Sequence, residues 1–94
     1  MHVYISSSRR VDDELMTIMD EAVDWSIHGR AGIELGIRHS LRVALRAAFG
    51  YEAIGRHVFA ICRQPGDTII LFREQMERIA VDAGIPLISR REAA

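Results

Sequence analysis

This chain of 94 residues contains no lysine and no asparagine, and it holds one cysteine, two prolines and six aromatic side chains. All 12 basic residues are therefore arginine. A GC-rich bacterial genome that avoids AA-rich codons writes such a composition. So does selection for planar, permanently charged guanidinium groups that grip carboxylates or phosphates. The lone Cys62 excludes an internal disulfide. There is no low-complexity stretch, no internal repeat and no Pro-rich linker, and the length suits one hydrophobic core, so a single domain over residues 1–94 is expected. No apolar run approaches the roughly 20 residues that cross a bilayer, which excludes a membrane helix. His2 to Ile5 passes straight into Ser6-Ser7-Ser8-Arg9-Arg10 without an apolar targeting core, and a cytoplasmic location is expected.

What is present is ordinary globular chemistry, 49% hydrophobic and 27% charged, punctuated by seven glycines. His2–Ser7 reads as a short strand, because Val3 and Ile5 alternate with polar neighbours. Residues 11–27 read as a helix: Leu15, Ile18, Met19, Ala22, Val23 and Trp25 recur at helical spacing, acids fill the first turn, and Gly29 stands ready to end it. Ile37–Phe49 reads as a second helix with Gly50 as its stop. His57–Cys62 is too uniformly apolar for a surface helix and reads as a central strand. Gln64-Pro65-Gly66-Asp67 is a turn, Thr68–Phe72 a strand, Arg73–Ala83 a third helix and Ile85–Ser89 a last strand. A rival reading runs one helix from Asp67 to Ala83. The order βααββαβ predicts an α+β sandwich of ferredoxin-like type, with helices on one face of a mostly antiparallel sheet.

A net charge of −1 conceals a strong division. Residues 1–29 carry two arginines and six acids, residues 30–63 six arginines and two acids, and residues 64–94 four and five. Arg38, Arg42 and Arg46 recur every four residues and are expected to line one flank of the second helix, while Asp13, Asp20 and Asp24 form an acidic stripe on the first. Either the two stripes face each other across neighbouring helices, or the basic one meets phosphates or an acidic partner protein.

Gly29-Arg30-Ala31-Gly32 resembles the GXXG clamp of the KH nucleic-acid-binding domain, whose order of strand, helix, GXXG, helix, strand, strand, helix can be laid over residues 1–83. The resemblance implies a loop that lets a nucleic-acid backbone approach, with Arg30 meeting phosphate. The same four residues also read as a plain interhelical turn that uses glycine's freedom at positive φ. Ser6–Arg10 offers hydroxyls and guanidiniums at a helix start, which suits either anion binding or simple capping. His28, His39, His57 and Cys62 match no standard ligand spacing, so neither metal nor cofactor is expected. No nucleophile motif or cofactor fingerprint is present, and an enzyme is not expected.

The leading expectation is a small non-catalytic protein-binding regulator or inhibitor. It is expected to be a homodimer through the first helix, whose apolar arc is broadened by Val11, Met16, Val23 and Ile27, or through an open sheet edge. Its charged faces are Arg38, Arg42 and Arg46 against Asp13, Asp20 and Asp24. The alternative is a nucleic-acid-binding domain using Gly29, Gly32, Arg30 and the arginine stripe; the third is an anion- or nucleotide-binding protein or enzyme using Ser6–Arg10.

Overall fold

A computed structural model describes residues 3–4 and 9–87, with side chains from Asp12 onward. Among the described residues, three helices and five strands follow the order βαββαββα: β1 Val3–Tyr4, α1 Arg9–Thr17, β2 Trp25–His28, β3 Glu34–Arg38, α2 Leu41–Ala53, β4 Ala60–Arg63, β5 Ile69–Phe72 and α3 Arg73–Asp82. The expected class holds: this is an α+β fold with a mostly antiparallel sheet. The expected order does not, because what read as one long first helix is a helix and a strand. The sheet runs β1-β5-β4-β2-β3, with three antiparallel ladders and short β1 parallel to β5 at one edge. β3 and β4 flank β2 and run parallel to each other, so β3–α2–β4 is a split βαβ unit of the ferredoxin-like kind.

α1 stops at Thr17, whose hydroxyl turns back to the Glu14 carbonyl, and Ile18 and Met19 continue only as a turn. Beyond it the period becomes two: Trp25 and Ile27 face the helices while Ser26 and His28 face away. Gly29–Gly32 is consequently no interhelical joint but the connection of the β2–β3 hairpin. It is closed by a single 3-10 turn at Arg30–Gly32 and by the Gly29 N–H on the Ile33 carbonyl at 2.7 Å. α2 begins later than expected because Ser40 caps it, its hydroxyl accepting from the Val43 N–H at 3.2 Å. Gly50 lies inside α2 with open space beside it, and does not end the helix.

β5 and α3 fall where expected, β4 starts at Ala60 instead of His57 because the Val58 N–H is taken by the Glu52 carboxylate, and the unbroken helix from Asp67 is excluded. Ile85–Leu87 is irregular, while Ile88 and Ser89 of the expected last strand lie outside the described residues, as do His2 and Ile5–Ser7 of the first and Ser6–Ser8 of the proposed anion loop.

All three helices pack on the sheet face carrying Trp25, Ile27, Ile61 and Leu71. Leu15 and Met19, Leu41, Leu45 and Phe49, and Met76 and Ile79 close over it. Val23 and Ile27 are not part of α1, so the broad apolar arc expected of the first helix does not exist. Its buried members Leu15 and Met19 are spent on the core.

A buried ion pair fastens the helices together. Asp12 is fully buried, and its carboxylate accepts from Arg78 Nε at 2.6 Å, Arg78 Nη2 at 3.1 Å and Gln75 Nε2 at 3.1 Å, tying α1 to α3. Glu52 does the same for α2: one oxygen takes the Val58 N–H at 2.8 Å while the other meets the Arg73 guanidinium.

Candidate functional site

The charged residues singled out in the sequence disperse. Arg38 lies on β3, whereas Arg42 and Arg46 lie on α2, so the three do not share a helix flank. Asp13 is exposed on α1, but Asp20 and Asp24 belong to the connection between α1 and β2. The expected meeting of the two charge sets survives in part. Arg42 grips Asp20 through Nε at 2.6 Å and Nη2 at 3.1 Å, and the hydrogen bond holds the Asp20 carboxyl below its ordinary range. His39 Nδ1 lies 2.6 Å from Asp24 Oδ1. Among the described residues Arg30, Arg46 and Arg56 have no ion-pair partner. Gly29 is buried, and a Cβ there would stand 3.0 Å from the His57 carbonyl; Gly32 has φ +76°, where side chains are strained. Both glycines thus serve the hairpin.

Two other features come from the sheet itself. The first is its β3 edge, Glu34-Leu35-Gly36-Ile37-Arg38. Alternate residues of an edge strand turn their N–H and C=O groups outward. The Leu35 carbonyl accepts from the Tyr51 hydroxyl and the Ile37 carbonyl from Arg38 Nη1, each at 2.9 Å, leaving a second lone pair on both. A Cβ at position 36 would lie 2.9 Å from the Tyr51 hydroxyl and from Arg38 Nη1, the far ends of two side chains that would have to shift to admit it. Neither Glu34 nor Arg38 has an ion-pair partner among the described residues.

The second is the sheet face away from the helices. The register Ser26↔Cys62, Ser26↔Ile37, His28↔Ala60, Cys62↔Ile70 and Ala60↔Phe72 puts these side chains together. Ile37 and Phe72 are exposed at its margins, and the exposed Phe59 ring meets Phe72 edge-on at 5.5 Å. At its centre is a polar cluster. Ser26 Oγ lies 2.7 Å from His28 Nε2 and accepts from Gln64 Nε2 at 2.9 Å. Gln64 Nε2 also reaches Asp67 Oδ1 at 2.5 Å.

His28 Nδ1 stands 3.3 Å from the Gly32 carbonyl. The ligand atoms of His28, Cys62 and Asp67 all lie within 4.8 Å of one another. Burial, and then the Asp67 charge, push the Cys62 thiol up to about 11, so it is neutral at physiological pH. Sequence reasoning missed this cluster because it ran a helix to Ile27 and left residue 28 just beyond its end. The alternation Trp25-Ser26-Ile27-His28 was the signal that would have paired it with Cys62.

No protein-family model matches this chain, and no curated protein or solved structure matches it either.

Proposed function

We propose that this chain is a small non-catalytic binding module, a regulator or inhibitor acting through protein–protein contact, and that it works as a homodimer joined along β3. The observation that carries this reading is the self-complementary edge. Antiparallel pairing of β3 with its copy about Gly36 sets Glu34 of one chain opposite Arg38 of the other at both ends, and Leu35 opposite Ile37. Opposite charges directly across an antiparallel pair contribute roughly 0.2–1 kcal/mol each, and like charges oppose pairing by a similar amount. The two sheets become one, and the apolar margins at Ile37, Phe59 and Phe72 offer a surface for a protein partner. The reading places the dimer in a bacterial cytoplasm, in keeping with its arginine-only basic set and single cysteine.

The test is sedimentation equilibrium at micromolar concentration with a chelator present. Twice the chain mass is expected for the unaltered protein, monomer for Glu34→Arg or Arg38→Glu alone, and a restored dimer for the two together. An unaltered protein that stays monomeric at about 100 μM, or single variants that remain dimeric, overturns the β3 interface. Tight binding of labelled single-stranded RNA by the monomer, falling steeply between about 50 and 200 mM salt, overturns the reading in favour of a nucleic-acid surface of Arg30, Arg46 and Arg56.

A further inference from the structure

The geometry points to a binding site for a borderline-soft divalent cation, Zn²⁺ in class, formed by His28, Cys62 and Asp67 on the face of the sheet away from the helices. The donor set is one imidazole, one thiolate and one carboxylate, the kinds of ligand that zinc takes at about 2.0–2.3 Å. A tetrahedral ion with such bonds separates its ligand atoms by roughly 3.3–3.8 Å. The three ligand atoms here already lie within 4.8 Å of one another, so closure asks for side-chain movements of about 1 Å.

The surroundings are those of a ligand shell. His28 Nδ1 faces the Gly32 carbonyl at 3.3 Å; with the proton on that nitrogen, the Nε2 lone pair is left directed into the cluster. Metal-binding histidines characteristically donate their other N–H to a backbone carbonyl in this way. Ser26 Oγ, at 2.7 Å from Nε2, is the group the cation displaces or recruits as a fourth ligand. Gln64 Nε2 bridges Ser26 Oγ and Asp67 Oδ1, which orients the carboxylate.

The two strand ligands are held by the β2–β4 ladder through the pairs Ser26↔Cys62 and His28↔Ala60. Asp67 arrives from the β4–β5 turn at φ +53°, a conformation that aspartate tolerates better than most residues. Without the cation, and with the proton on Nδ1, the Ser26 hydroxyl donates to His28 Nε2. Coordination expels the thiol proton to solvent and leaves a metal thiolate.

The experiment titrates untagged protein with Co²⁺ and then competes it with Zn²⁺. Because Cys62 is the sole cysteine, a thiolate-to-cobalt charge-transfer band reports this site alone. The expected result is one Co²⁺ per chain with that band, bleached by Zn²⁺, and a rise in melting temperature of about 10–20 °C when Zn²⁺ is about 100 times its dissociation constant. Cys62→Ser removes the band. His28→Gln and Asp67→Asn each weaken binding by about tenfold or more, with unchanged far-ultraviolet circular dichroism. His39→Ala, whose ring pairs with Asp24 and is not one of the three ligands, leaves affinity unchanged. Absence of the band, or Co²⁺ affinity indifferent to both His28→Gln and Asp67→Asn, overturns the assignment. Metal binding by a protein that remains monomeric overturns only the β3 interface proposed above, so the two readings fail separately.

Discussion

Arg78→Ala is the most incisive test of how this small domain is held together. The Asp12 carboxylate has no solvent exposure and takes two hydrogen bonds from the Arg78 guanidinium, at 2.6 and 3.1 Å, and one from Gln75. Removing one partner of a buried pair typically costs about 3–5 kcal/mol, because the remaining charge is stranded away from water. The Arg78 side chain keeps 30% of its surface exposed, so water can follow the vacated guanidinium towards Asp12. That screening lowers the expected loss to about 2–3 kcal/mol.

Alanine is the best helix former, so α3 itself does not suffer. For a domain of this size the loss lowers the melting temperature by roughly 10–20 °C, a large part of a total stability of about 5–15 kcal/mol. Urea denaturation followed by far-ultraviolet circular dichroism measures it. Arg42→Ala, whose partner Asp20 lies at the surface, serves as the comparison and is expected to change little. In a double-mutant cycle, Asp12→Ala with Arg78→Ala recovers at least about 1 kcal/mol relative to the sum of the single losses. A loss under about 0.5 kcal/mol for Arg78→Ala refutes the argument, since the Asp12 carboxylate would then be satisfied without the guanidinium.

In chelator-treated protein, Cys62 is expected to alkylate at pH 7.5 more than about a hundredfold more slowly than a free thiol, because a thiol pushed up to about 11 holds that much less thiolate. The same shift has a stability consequence. The folded thiol holds its proton more tightly than the unfolded one, so this contribution is intact below about pH 9 and is lost as pH rises towards 11, by about 2–3 kcal/mol. A free-thiol alkylation rate, or a flat stability profile over that window, contradicts it. Ser40→Ala removes the cap of α2 and is expected to cost about 1 kcal/mol in urea denaturation; a change within 0.3 kcal/mol would show that Ser40 does not cap the helix in solution.

The parts of the fold that were legible in the sequence are those specified locally. Pro65-Gly66 between two apolar runs gave the β4–β5 turn, and Met76, Ile79 and Ala80 gave α3 its inward stripe. Residues 18–27 read as helix because Ile18, Ala22 and Trp25 imitate a helical stripe, while the strand alternation occupies only Trp25 to His28. Four residues hardly distinguish a period of 3.6 from one of 2. Asp12 was read as a first-turn acid favoured by the helix dipole. Its actual partner, Arg78, stands 66 residues away, and no local pattern announces a pairing of that range.

The candidate site was lost with β2, and the reason is physical. A central strand writes its pattern on two faces at once. Its odd members Trp25 and Ile27 carry the apolar signal, so its even members Ser26 and His28 look like incidental polar residues until the Ser26↔Cys62 register gives them neighbours. Those neighbours are small: Ala60 and Cys62 opposite Ser26 and His28 leave an imidazole, a thiol and the incoming Asp67 room to converge, where leucine or phenylalanine would have filled the space and sealed the face. A small-residue patch in the middle of a sheet otherwise edged by Ile37, Ile70 and Phe72 gives up apolar burial on that face. The polar network of Ser26, His28, Gln64 and Asp67 occupies what burial would have filled, and the cation proposed for this cluster would supply the energetic reason for keeping it there.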